Sequence, residues 1–463
     1  MTTDPVAFFR SVAAENPRCF WLDGGGAREW SGRRSMVGWL EDDDVSLSWS
    51  ATTGAVTRHA DGRAEVVGDD VFAVLEAELA AGSPADHWVG YLGYACRTDL
   101  PATVGADVPG ALPDAVWMRP REVRFFEHPP PPRVSSAGRQ NPRRDDEALS
   151  SRVGFRRPAD KTPPPAHAPD EIPPPAYAAA FDRVQEHLHA GNTYEVNLTY
   201  RVEVESPADP LTTYLRLREL NPAPYAGFLQ HDVPGARAWL LSSSPERYAL
   251  VGADRTVETK PIKGTTPRGA TPQEDEEQRR RLAEDPRFRA ENLMIVDLLR
   301  NDLSMVCDPG TVVVPSLMAV ESYETVHQLV STVRGHLRDD VTTVQALRAL
   351  FPAGSMTGAP KLRTMEVIEE VESTPRGPYS GAFGWIAADG RADLGVVIRS
   401  LTTAGDGRYE LGTGGGITVR STVQDEHEES RWKAERLLRA LALRDGSGAP
   451  PQEPEDGRRK PRR

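Results

Sequence analysis

The sequence predicts a mixed α/β fold, and three observations carry that reading. Short strand-like runs punctuated by glycine fill the first 128 residues, in the manner of a sheet with turns. From residue 176 onward, helical and strand patterns alternate. The chain has 463 residues, 39% of them hydrophobic, which is enough for a substantial core in two or three units or one large fold.

The elements follow in order. Cys19–Leu22, Val45–Ser48 and Trp88–Leu92 read as strands, and Val71–Ala81 as an amphipathic helix. A proline-rich stretch from about His128 to Pro175 contains three runs of three or four prolines with little apolar content between them. Such a segment buries too little surface to offset its ordering entropy, so it is expected to be an extended or disordered connector. Tyr177–Ala190 reads as a helix ended by Gly191-Asn192, and Thr193–Val202 as a strand. Trp239–Ser243 and Tyr248–Val251 are strands around a turn, and Glu291–Leu299 is a mostly apolar helix. Lys361–Val371 starts a helix after Pro360; Ala382–Ala387 and Leu394–Thr402 are strands; Asp425–Leu443 is a long final helix. Composition divides the chain at 1–128, 129–175, 176–444 and 445–463, the last a polar, basic tail expected to be disordered.

A net charge of -13 argues against nucleic acid as a partner. Three cysteines, odd in number and far apart, suggest neither a zinc site nor a disulfide framework. No apolar run approaches the roughly 18–20 residues of a spanning helix, and Met1–Pro5 lacks a signal-peptide pattern. A cytoplasmic protein without membrane contact is the expectation.

Only six of the 55 basic residues are lysine, and four of these, Lys260, Lys263, Lys361 and Lys433, fall in dense polar motifs. Guanidinium does not deprotonate at working pH, whereas a desolvated lysine can become a nucleophile or base. Lys263, in KPIKGT, is the strongest pointer to chemistry. Glu426, Glu429 and Lys433 share one helix face by their spacing, which fits either a site or a solvated face with a Glu429–Lys433 ion pair. Glu291 opens an apolar helix; with Glu426 and Glu429 it could offer magnesium the carboxylates that ion prefers. Gly412–Gly416 matches no nucleotide fingerprint and reads as an anion-facing backbone or a tight turn. GSMTGAPK (354–361) lacks phosphate-loop spacing. A lone His327 before an apolar segment is more often structural than catalytic. Arg399, ending the run 394–398, needs an anion or solvent.

Together these segments resemble the chorismate-utilising enzymes, most closely the aminodeoxychorismate synthase component I branch. The resemblance rests on GNTYEVNL (191–198), NPAPY (221–225), SPER (244–247), PIKGT (261–265), ENLMIVDLLRNDL (291–303), GSMTGAPK and GGGI (414–417). GRRS (32–35) and GYLGY (90–94) extend it more weakly to the first region, where Ala95 departs from the acidic residue often found after the second string. It implies one large intertwined α/β sandwich of two face-packed, mainly antiparallel sheets with helices outside. It also implies Mg2+ held by Glu291 and Glu429 with Glu426 adjacent, and a second carboxylate pocket of Tyr379, Arg399 and the Gly414, Gly415 and Gly416 backbone. Lys433 and Thr357 are further substrate contacts; Glu246 and His327 are acid/base candidates. Phe288 stands where relatives often have a carboxylate, which implies a simpler metal shell.

Lys263 separates the branches. The resemblance implies that anthranilate synthases have alanine there, while the aminodeoxychorismate type uses lysine as a nucleophile on ring carbon 2. Ammonia then adds at carbon 4 and expels it. The nearby Mg2+, together with Lys260 if it points inward, would help keep Lys263 neutral. The ammonia is expected from a separate glutamine amidotransferase subunit, because no Gly-x-Cys-x-Gly nucleophile motif is present. The product would feed a folate or an aminated secondary-metabolite route. Alternatives are an anthranilate synthase component I, a salicylate or isochorismate synthase that uses the lysine as a base for water, and a non-catalytic sensor subunit. In relatives the first region can hold tryptophan; Leu22-Asp23-Gly24 matches that pocket only loosely.

Overall fold

The structure, a computed structural model, describes residues 4–24, 34–106, 108, 110–128, 172–323 and 326–442. The connector up to residue 171, the tail from 443, and Gly32 and Arg33 of the GRRS string lie outside the described residues.

The first region supplies α1 (Pro5–Glu15), β1 (Arg18–Asp23), β2 (Arg34–Trp39), β3 (Ser46–Ser50), β4 (Ala55–Ala60), β5 (Arg63–Gly68), α2 (Val71–Ala81), β6 (His87–Leu92), β7 (Ala115–Met118) and β8 (Val123–Glu127). Then come α3 (Pro175–His189), β9 (Glu195–Glu205), α4 (Pro210–Leu220), β10 (Tyr225–His231), β11 (Ala238–Ser244), β12 (Arg247–Val251), β13 (Thr256–Lys260) and β14 (Ile262–Pro267). The remainder is α5 (Pro272–Glu284), α6 (Pro286–Ser304), β15 (Val313–Ser322), β16 (Val326–His336), α7 (Thr343–Leu350), β17 (Gly358–Ala359), α8 (Lys361–Val371), β18 (Ala382–Ala387), β19 (Ala392–Val396), β20 (Ser400–Thr403), β21 (Arg408–Ile417) and α9 (Val423–Leu441).

The strands form two sheets. One runs β17-β9-β21-β20-β11-β10-β1-β2-β8; the other runs β14-β16-β13-β12-β19-β18-β6-β7-β3-β4-β5, with β15 on β16. The pairings among the described residues are antiparallel. Both sequence regions contribute to both sheets: β1 pairs β10, and β6 pairs β18. The chain therefore forms one intertwined sandwich.

Strand periodicity explains why the strands read as continuous apolar runs. Along β1, Phe20 turns inward onto β6, β7 and β18 of the facing sheet, while Cys19 and Trp21 turn outward onto α1, α4 and α9. Along β7, Val116 and Met118 face inward, and Ala115 and Trp117 pack outward among α2, α6 and α7. Each sheet is covered on both faces, so polar alternation is lost. The three cysteines are free and buried.

The expected strand 394–402 is in fact two. Its first half belongs to β19 of the second sheet and its last residues to β20 of the first. Between them the chain changes sheets, and Arg399 adopts a left-handed backbone, φ 52°. Gly412–Gly416 is likewise no turn. It is extended within β21, paired along its length with β9.

A buried histidine predicts acid sensitivity. His231 is fully enclosed, bonded to Ser46 Oγ (2.9 Å) and the Ala236 carbonyl (2.7 Å), with its ring 5.5 Å from that of His59. Burial lowers its pKa from 6.5 to about 3. The unfolded chain therefore binds a proton below pH 6.5 that the folded chain refuses, and stability falls as pH drops through that window. Urea unfolding should lose on the order of 2–3 kcal/mol between pH 6.5 and 4.5 through His231 alone. A flat profile would contradict the buried neutral ring.

Candidate active site

The sheets open at one end, where β9 and β21 stand opposite β14 and β16, and a cavity of about 340 Å³ lies there. Two adjacent sheet-to-sheet crossings build its floor. Glu246 occupies the crossing from β11 to β12, and Arg399 the crossing from β19 to β20. Each crossing is tied to the other crossing's strands: Val396 N–H donates to the Glu246 carbonyl (3.0 Å) and Ser243 N–H to the Arg399 carbonyl (3.1 Å). A left-handed arginine costs about 1–3 kcal/mol of backbone strain, which the surrounding sheets must hold in place.

Burial lifts the Glu246 carboxyl from 4.5 to about 7, against the opposing pull of Ser355, Lys263 and the Ile262 backbone. It is therefore largely protonated just below neutrality, as a general acid requires. Burial and the neighbouring Arg436 draw the Arg399 guanidinium down to about 10. It donates to the Lys433 carbonyl (3.3 Å) and lies 5.4 Å from the Trp432 ring, and among the described residues it forms no ion pair. A buried cation so placed suits an incoming carboxylate.

Lys263 follows Ile262 on β14, where the register against β16 shifts between Ile262 and Thr265 and Gly264 takes φ 96°. Such a bulge re-aims a side chain, and Lys263 enters the cavity. Its Nζ donates to Glu195 Oε1. Burial disfavours the ammonium, but Glu195, with Glu291 and Glu246 behind it, outweighs that and raises the pKa. Lys260 does not help to neutralise it. That side chain turns to Glu321 (2.7 Å), and the ion pair with Glu195 favours the ammonium form of Lys263.

Three carboxylates line the cavity opposite: Glu291 from α6, and Glu426 and Glu429 from α9. Arg287 spans two of them, Nε to Glu291 (3.1 Å) and Nη2 to Glu426 (2.8 Å). Burial raises both of these carboxyls; Lys433, at 2.8 Å, lowers Glu429. Among the described residues, no three acidic, histidine or cysteine side chains gather closely enough to hold a metal in this arrangement. The donor set nonetheless fits magnesium, being hard oxygens around a point that already accepts a cation.

The far wall is β21. Among the described residues it pairs β20 only at Glu410–Thr402, so beyond that its second edge carries no described strand, and Gly412, Thr413, Gly414 and Gly416 line the cavity. Lys433 Nζ bonds the Gly414 carbonyl (2.8 Å), and a Cβ on Gly415 would come 3.0 Å from Glu426. Tyr379 completes this side, its ring 4.5 Å from the Arg201 guanidinium.

Two expected residues lie elsewhere. His327 is buried beside the cavity but faces away: strand parity sends Gln328 inward and His327 outward, to Ser322 Oγ (2.8 Å) and Asp275 (3.0 Å). Thr357 hydrogen-bonds within its own loop, to the Gly354 carbonyl (3.2 Å); its neighbours Ser355 and Met356 line the cavity instead. Lys361 is structural, bonded to Asp302 (2.6 Å) and the Leu350 carbonyl (2.9 Å). Conversely, Glu195, Asn197 and Arg287 were not singled out. A signal for the first two exists in YEVNLT: Glu195, Asn197 and Thr199 fall on one strand face while Val196 and Leu198 pack the other. A buried polar stripe of this kind marks a site.

The chain matches the family described as chorismate binding enzyme over residues 17–439. It belongs to the chorismate-binding enzymes. Among the family, an aminodeoxychorismate synthase of Streptomyces pristinaespiralis is 39% identical over 95% of this chain and 64% of its own length. The chain thus spans just under two thirds of that relative. An anthranilate synthase component 1 of Streptomyces coelicolor is 35% identical over 86% of this chain and 83% of its own. Among solved structures, anthranilate synthase component I from Streptococcus pneumoniae aligns with TM-score 0.67 and 25% identity, covering 88% of this chain and 92% of that one.

Proposed function

We propose that the chain aminates chorismate at ring carbon 4, giving 4-amino-4-deoxychorismate, with ammonia from a separate glutamine amidotransferase subunit. The observation that carries this reading is Lys263, aimed into the cavity between the Glu246 carboxyl and the carboxylate cluster. The naming of the Streptomyces relative as an aminodeoxychorismate synthase supports it.

In this reading Arg399, Tyr379 and the free edge of β21 seat one substrate carboxylate. Glu291, Glu426 and Glu429 would hold Mg2+, which when bound withdraws electron density through the ring carboxylate. Lys263 forms a bond to carbon 2 as the carbon 4 hydroxyl leaves, taking the proton of Glu246. Ammonia then adds at carbon 4 and Lys263 departs. The covalent step divides one hard substitution into two easier ones.

Incubation with chorismate, Mg2+ and ammonium, followed by an aminodeoxychorismate lyase, should yield 4-aminobenzoate. Anthranilate or salicylate as the product would overturn the assignment. The raised Glu246 gives a second expectation. The acid is protonated below about pH 7, so kcat/KM should fall above it. In Glu246→Gln the rate should drop roughly 10²-fold or more and that alkaline limb should vanish; a limb that persists would assign the titration to another group.

A further inference from the structure

Nothing in the steps above accounts for the proton that Lys263 carries at rest. An ammonium has no lone pair with which to attack, and the site holds this one as an ammonium by its bond to Glu195. Glu195 is fully buried behind Lys263, and it sits at the start of β9, where it pairs with Ala359, whose carbonyl also accepts from Tyr194 N–H (2.8 Å). Its second oxygen, Oε2, is buried with no hydrogen-bond partner among the described residues. An acceptor in that state is costly to maintain unless it is used.

We propose that Glu195 is the base of the lysine chemistry, taking the Nζ proton as the amine attacks and returning it as the amine leaves. This rests on the reading of Lys263 as nucleophile.

The cycle balances. At rest the groups are Lys263 ammonium, Glu195 carboxylate and Glu246 carboxylic acid. One N–H bond breaks, an O–H bond forms on Glu195, and the freed lone pair forms the Nζ–carbon 2 bond. Both ring double bonds shift, to carbon 1–carbon 6 and carbon 4–carbon 5, the carbon 4–oxygen bond breaks, and the departing hydroxyl takes the Glu246 proton to become water. The adduct nitrogen is then cationic, Glu195 neutral and Glu246 anionic. When ammonia adds at carbon 4, the new ammonium gives a proton to Glu246. The two double bonds shift back as the Nζ–carbon 2 bond breaks, and Nζ recovers its proton from Glu195. Both carboxyls end as they began, with no exchange with solvent. The two carboxyls thus divide the labour, Glu246 as acid to the hydroxyl and Glu195 as base to the amine.

The test uses Glu195→Gln and Glu195→Asp in the full chain. Competitive acetylation of Lys263 by acetic anhydride, read by peptide mass spectrometry without chorismate, reports the charge state of the amine. Half-labelling should occur at least one pH unit lower in Glu195→Gln than in the unmodified enzyme; an unchanged midpoint would overturn the proposal. In turnover, Glu195→Gln should lower kcat at least tenfold with KM for chorismate within threefold, although its lysine is the more neutral of the two. Glu195→Asp, which keeps a proton acceptor, should recover part of the loss. Unchanged kcat in Glu195→Gln, or no recovery in Glu195→Asp, would sink it. If the unmodified enzyme makes no aminated product, the functional reading fails separately, and the labelling still reports the hold of Glu195 on Lys263.

Discussion

Lys263→Ala should lower formation of 4-amino-4-deoxychorismate by at least about 10³-fold in kcat/KM, roughly 4 kcal/mol of transition-state stabilisation. Removing the proposed nucleophile leaves Glu246, Arg399 and the carboxylate cluster in place, so chorismate should still bind. The loss should therefore appear in kcat, not KM. Mass spectrometry of trapped, unmodified enzyme should show an adduct on the peptide carrying Lys263, absent in the variant. Undiminished product formation by Lys263→Ala would remove the covalent mechanism.

The substitution has a second consequence that must be separated from the first. Lys263 is the ion-pair partner of Glu195, which is fully buried. Deleting one member of a buried pair leaves an uncompensated charge and typically costs about 3–5 kcal/mol. Lys263→Ala should therefore unfold at lower urea than the unmodified chain. Adding Glu195→Gln removes the stranded charge. The double variant should regain most of the stability and none of the activity. If stability and activity returned together, the single variant would have failed by misfolding and Lys263 would hold no chemical role.

Particular elements show what was legible in the sequence. Helices Val71–Ala81 and Lys361–Val371 have the ends their local signals indicate, because the signals are local: Asp70 caps the first through the Phe72 and Ala73 N–H groups, and Pro360 starts the second. The run 394–402 looked like one strand because both pieces are buried on both faces; the crossing that separates them is a tertiary event, marked only by the backbone of Arg399. Lys263 stood out because lysine is rare here and sits in a motif. Its partner Glu195 did not, since that pairing joins positions 68 apart and is made by folding. The inward choice of Glu291 or Glu429 came from family resemblance, as helix spacing alone fits a solvated face equally well. His327 failed on strand parity, which depends on the register of β16 against β14.

The glycines of β21 turn this long-range packing into the second large expected effect. Gly416 has no need of a special backbone angle; what it supplies is space. A Cβ there would collide with Glu195 Oε1 and stand 3.1 Å from Lys263 Nζ. Neither neighbour yields easily: Glu195 is buried on β9, whose Asn197 pairs with Gly416 itself, and Lys263 is fixed by the bulge of β14. Gly416→Ala should therefore break the Lys263–Glu195 pair at a cost of about 1–3 kcal/mol in stability, the usual range for overpacking. Activity should suffer far more, by 10²-fold or greater, because a 1 Å displacement of a reacting group is enough for such a loss. The control is Gly407→Ala, in the turn before the same strand, where an added Cβ meets only the Ser206 carbonyl at 3.7 Å. Its φ of 84° makes it strained as well. The control should lose stability with kcat nearly unchanged, while Gly416→Ala loses kcat out of proportion to stability. Equal losses in both would mean that β21 contributes only to folding, and that the close fit around Lys263 and Glu195 has no part in the chemistry.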